Sequence, residues 1–117
     1  IDHPPFQSRA DLAALYRSAA VAMVCSDAEG FGLPVIEAAA CGTPVATAHG
    51  SALDEVTPPG AMRFNPKDTT ALVQLMFQAA TQLPGNAESP EALRRWALRY
   101  DLPRYADRVD ELLKELV

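Results

Sequence analysis

The chain lacks any hydrophobic run near the roughly 20 residues that a membrane-spanning helix requires, so nothing in its 117 residues reads as a transmembrane segment. A basic surplus is also missing: 10 Lys and Arg stand against 15 Asp and Glu, for a net charge of −5. That is the wrong balance for a stripe that neutralises nucleic-acid phosphates, or for a polybasic membrane anchor. Cysteine is scarce. Cys25 and Cys41 each sit in an apolar run with no histidine pair nearby, which rules out a disulfide framework and gives no zinc site. They read as small buried thiols of a reducing, cytoplasmic compartment. The two histidines, His3 and His49, read as solvated loop residues. There is no internal repeat, no low-complexity tract, and no nucleophile-elbow, Walker or metalloprotease pattern. No initiator Met or signal peptide opens the chain, and its polar, proline-containing start at Ile1 predicts a part of something larger.

What is present is an alternation of periods. Ser8 caps a helix whose Leu12, Leu15 and Tyr16 form one apolar stripe. AVAMVC (20–25) is a short continuous apolar run, as in a parallel sheet buried on both faces. A loop, SDAEGFG, follows, and Pro34 suits the first turn of the next helix, VIEAAAC, which Gly42 ends. TPVATA (43–48) and AMRFN (61–65) read as further strands, with about one helical turn between them at Asp54-Glu55 rather than a metal site. A helix then runs to roughly Gln82 with Leu72, Leu75, Met76 and Ala79 inward. LPGNAESP is the one linker-like stretch. Two helices close the chain, started by Ser89-Pro90 and by Pro103, the second carrying Tyr105, Val109, Leu112, Leu113 and Leu116 on one side. Tyr16, Phe77, Trp96 and Tyr105 read as core or helix-packing aromatics. Strands alternating with helices predict an α/β fold with a parallel sheet. With about three strands instead of five or six, it is a partial Rossmann-like sheet.

The stretch EGFGLPVIEAAACGTPV carries the chemistry. Its loop leaves a strand where an open parallel sheet binds ligands, and the helix after it aims free N–H groups and the positive end of its dipole at that crevice. Gly30 and Gly32 let backbone approach a ligand without side-chain obstruction. Glu29 lies in the loop and Glu37 about one turn into the helix. Both are acceptors suited to hydroxyls, so a sugar and a ribose on either side of a phosphate fit the layout. By spacing alone the glutamates are equally readable as first-turn carboxylates, and the glycines as turn residues.

The run AVAMVCSDAEGFGLPVIEAAACGTPVATAHGSALDEV resembles the donor-binding stretch of retaining glycosyltransferases of the GT-B fold, the glycosyl transferases group 1. Glu29 and Glu37 match that family's Glu-x7-Glu motif, and the strand, glycines, proline and Gly-Thr-Pro-Val fall in register with it. The resemblance covers roughly residues 8–83. It implies the second half of a GT-B C-terminal domain: residues 1–83 as the donor-binding half, truncated at its N-terminus, and residues 84–117 as a helical segment packing on it. It also implies a nucleotide-diphosphate-sugar donor, transfer to an acceptor with retention, and neither cofactor nor metal. Glu29 would hold the donor sugar near the reacting centre and Glu37 the ribose hydroxyls. The amides of Phe31, Gly32, Leu33 and Val35 would meet donor oxygens, Pro34 would shape the turn, and Ile1 to Pro5 would line the base.

The family's basic pair that clamps the diphosphate has no match at Arg63, Lys67 or the C-terminal arginines. Both that pair and the acceptor-binding N-terminal domain are expected upstream, where peripheral membrane attachment would also reside. The chain alone is therefore expected to be inactive. Rival readings are a non-catalytic nucleotide-sugar-binding or assembly module, a nucleotide-sugar epimerase, or a phosphorylase. The strand at 20–25 should leave an apolar edge bare, a place for self-association through strand pairing.

Overall fold

A computed structural model describes Pro5, residues 8–81 and residues 88–116. Its elements run α1 (Arg9–Ser18), β1 (Ala22–Val24), α2 (Leu33–Cys41), β2 (Val45–Ala48), α3 (Leu53–Val56), β3 (Met62–Phe64), α4 (Thr69–Thr81), α5 (Pro90–Ala97), a 3-10 turn (Leu98–Tyr100) and α6 (Leu102–Leu116). The strands form one parallel sheet in the order β1-β2-β3. Ala22 stands opposite Val45 and Thr47 opposite Arg63. This is the α/β, partial Rossmann-like sheet that the alternating periods predict, with strands shorter than the apolar runs suggest. Of Ile1 to Pro5, expected to line the donor base, only Pro5 is described, and the end of the third long helix at Gln82 and most of LPGNAESP fall outside the described residues.

Position in the sheet explains composition. β2 is central and buried at all four residues, so its side chains are small or β-branched and pack on both faces. β1 is half-buried throughout, and among the described residues no strand lies on its outer edge. The main core gathers Val35 and Ala38 of α2, Val45, Ala46 and Ala48 of β2, Leu53 and Val56 of α3, Phe64 and Leu75. Inside it, the Thr57 hydroxyl donates to the Leu53 carbonyl, so Thr47 is left to donate to Thr57 across 3.0 Å. That chain satisfies the buried hydroxyls and ties α3 to the central strand.

A second cluster joins Ala39 of α2 to Leu93, Trp96 and Ala97 of α5. The small Ala39 lets the two helices approach closely. The Arg94 guanidinium then donates to the Cys41 carbonyl at 3.2 Å, beside the left-handed Gly42 that ends α2.

Several expected core residues lie elsewhere. Met76 and Phe77 of α4 are exposed, because β3 is the last strand and the described residues place no layer over that side of the helix. Tyr105 is exposed, as are Val109, Leu112 and Leu113, because no face of α6 packs on the sheet and every side chain described along it is exposed. Cys25 is exposed where β1 opens into its loop, and Cys41 is only half-buried, so neither is a fully buried thiol.

Candidate functional site

The loop between β1 and α2 leaves the sheet at the carboxyl ends of its strands, where an open parallel sheet offers a crevice. Gly32 forms the cap of α2 in the left-handed region, at φ 87° and ψ 39°. A Cβ there would stand 2.7 Å from Val56 Cγ2 and 2.9 Å from Leu53 Cδ2. Backbone angle and packing therefore each require glycine. Gly30 differs: its φ is not positive, and a Cβ would meet nothing within 4 Å. Pro34 occupies the first turn of α2, where its missing N–H costs nothing.

The amides of this turn divide. The Val35 N–H bonds the Gly32 carbonyl at 3.0 Å and is engaged within the turn, so the expected ligand contact from Val35 has no free donor. Those of Phe31, Gly32 and Leu33 have no partner among the described residues. α2 has no acidic residue in its first turn, so neither glutamate is an ordinary first-turn carboxylate. Glu29 precedes the helix and is half-buried, with no hydrogen bond or ion pair among the described residues. Glu37 is exposed, and its carboxylate accepts from the Tyr16 hydroxyl of α1 at 3.4 Å. The Tyr16 pKa is raised above its usual value, first by burial, then by the Glu37 charge and hydrogen bond and by Cys41.

The two glutamates have different surroundings. Glu37 stands on a groove of about 360 Å³ between α1 and α2, with Arg9, Tyr16 and Cys41. Phe31 and Leu33 face a cleft of about 740 Å³ on the other side of the helix start, opposite Tyr100, Tyr105 and three arginines. The loop is seated on the C-terminal segment. Phe31 meets Tyr100 edge-on at 6.0 Å, Tyr100 packs against Trp96 at 5.2 Å, and its hydroxyl donates to the Glu55 carbonyl at 3.4 Å. Sequence reasoning passes over Tyr100, since a lone tyrosine in LRYD has no periodic partner.

His49 is exposed, as its loop setting predicts. Asp54 accepts from the Gly50 N–H at 2.8 Å and pairs with Arg63, a structural acid at the start of α3 that also occupies Arg63. Among the described residues no group of three His, Cys, Asp or Glu is arranged to hold a metal ion, and no helix is long and apolar enough to cross a membrane.

The family model for glycosyl transferases group 1 matches residues 1–95. The chain is 39% identical over 88 residues to the MMP alpha-(1->4)-mannosyltransferase of Mycolicibacterium hassiacum, covering 73% of this chain and 20% of that protein. It is 36% identical over 69 residues to the O-antigen chain mannosyltransferase B of Escherichia coli, 59% of this chain and 18% of the relative. With the D-inositol 3-phosphate glycosyltransferase of Mycobacterium tuberculosis it shares 54% identity over 44 residues, 38% of this chain and 9% of the relative. The chain thus spans a fifth or less of the length of these relatives.

Proposed function

Because the chain belongs to the glycosyl transferases group 1, we propose that it supplies the donor-side half of a glycosyltransferase active site. The donor is a nucleotide-diphosphate-sugar, and transfer to a second sugar or alcohol proceeds with retention. The carrying observation is the loop-to-helix turn: Gly32 is required by both backbone and packing, and it stands among three amides without a partner among the described residues, between two glutamates that are not first-turn acids.

Each group then has a task. Unpartnered N–H groups and the positive end of α2 stabilise charge on donor oxygens, which strengthens as the nucleotide leaves. Glu29, half-buried beside the crevice, accepts from donor sugar hydroxyls next to the reacting carbon. Glu37 accepts from the ribose, oriented by Tyr16. Diphosphate-clamping cations and the acceptor site come from the rest of the longer protein, and β1 receives a further strand there. Residues 1–83 form the donor-binding half and 84–117 the helical segment that seats its loop.

Kinetics of the longer protein test this. Glu29→Ala should abolish most transfer while Glu37→Ala raises the donor KM. Wild-type kinetics in both variants would remove these roles. Donor binding without transfer or hydrolysis would instead favour a non-catalytic binding module.

A further inference from the structure

We propose that Tyr100 is a positioning residue for the donor's phosphates: it closes a brace that fixes the peptide joining Phe31 to Gly32. The inference rests on the donor-site reading above and adds to it a residue of the C-terminal segment. The loop has little of its own to hold it. Between Ser26 and Phe31 the one hydrogen bond among the described residues runs from the Ser26 hydroxyl to the Ala28 carbonyl, at 2.9 Å. A loop so sparsely bonded opens easily unless packing holds it.

Two contacts hold its last two residues through different partners. Phe31 meets the Tyr100 ring edge-on, with centroids 6.0 Å apart. Gly32 lies against α3, where a Cβ would stand 2.7 Å from Val56 Cγ2 and 2.9 Å from Leu53 Cδ2. These two supports are themselves joined, because the Tyr100 hydroxyl donates to the Glu55 carbonyl of α3 at 3.4 Å. The ring of contacts therefore closes through Phe31, Tyr100, α3 and Gly32. Tyr100 is itself firmly based. It is half-buried, its ring lies 5.2 Å from that of the buried Trp96, and it packs against both core clusters.

A planar peptide turns only about the bonds to its two flanking Cα atoms. With Phe31 anchored through its ring and Gly32 through its backbone, the Gly32 N–H is held in one direction. That N–H has no partner among the described residues. A hydrogen-bond donor fixed before the ligand arrives needs no reorganisation when charge develops on phosphate oxygens. Glu37 stands apart from the brace, bonded to Tyr16 of α1, so its contact with the ribose does not depend on Tyr100.

Calorimetry on the intact transferase proposed above tests this. The probe is whichever of uridine, guanosine and adenosine diphosphate the wild type binds best, titrated beside the matching nucleoside. Tyr100→Leu should weaken the diphosphate roughly two- to tenfold, the worth of an aromatic pair, and leave the nucleoside unchanged. Tyr100→Phe keeps the ring and should fall between wild type and Tyr100→Leu. Phe31→Leu combined with Tyr100→Leu should weaken the diphosphate no more than either substitution alone, since both remove the same contact. Additive losses would overturn the positioning role, because the two rings would then act separately on the ligand. An equal loss for the nucleoside would overturn it in favour of general support of the fold. An unchanged diphosphate affinity in Tyr100→Leu, with Glu37→Ala still weakening it, would overturn the brace and leave the donor site standing. A wild type that binds none of the three diphosphates would remove the donor site and the brace together.

Discussion

Replacing Gly32 by alanine perturbs the turn on which the proposed site rests, and its cost can be worked from two separate features. The left-handed φ of 87° costs an L-residue about 1–2 kcal/mol. The new Cβ would also lie 2.7 Å from Val56 Cγ2 and 2.9 Å from Leu53 Cδ2. Both of those side chains belong to the buried core and have little room to retreat. Overpacking of that kind costs about 1–3 kcal/mol. Together these give a loss of about 2–5 kcal/mol. For a chain of this size, that lowers the melting temperature by roughly 10 °C or more. Gly30→Ala is the internal control, since it meets nothing within 4 Å and has no positive φ, and it should stay within about 0.5 kcal/mol of wild type. Urea denaturation followed by circular dichroism reads both. Equal stabilities for the two variants would refute the reasoning about the turn.

Thr57→Val removes the hydroxyl that links Thr47 to the Leu53 carbonyl, stranding a buried Thr47 hydroxyl. It should destabilise by about 1–3 kcal/mol in the same denaturation assay. The raised Tyr16 pKa means that the folded state holds the phenolic proton more tightly than the unfolded chain. Its contribution to stability is therefore whole below the ordinary tyrosine value and is lost as pH rises through the raised one. Stability measured at increasing alkaline pH should fall less steeply in Tyr16→Phe than in wild type.

The legible parts of this molecule are those fixed by local chemistry. Ser8 and Ser89 cap α1 and α5 through their hydroxyls, Pro34 and Gly42 bracket α2, and the parallel α/β order follows from the alternating periods. Misreadings arise where distant partners decide. Met76 shares a helical stripe with Leu72 and Ala79, yet whether a stripe is buried depends on a layer that periodicity does not reveal. Cys25 looks like the last residue of a buried run, but the strand ends at Val24 and the chain turns out to solvent. The seat of the site loop on Tyr100 joins segments far apart in sequence, and no spacing rule brings them together. Within EGFGLPVIE itself, residue types indicate the chemistry. It takes the backbone to separate Gly32, which must be glycine, from Gly30, and Val35, whose amide is engaged, from its neighbours.

The most direct measurement is equilibrium binding of two ligands to the intact transferase proposed above: a nucleoside diphosphate and the matching nucleotide sugar. Glu37→Ala should weaken both by about ten- to a hundredfold, the loss of hydrogen bonds to a charged acceptor, because both ligands carry the ribose. Glu29→Ala should weaken the nucleotide sugar alone. Two unaffected variants, or a Glu29→Ala variant that weakens the bare nucleoside diphosphate as much as the sugar-bearing one, would contradict the assignment of these two glutamates.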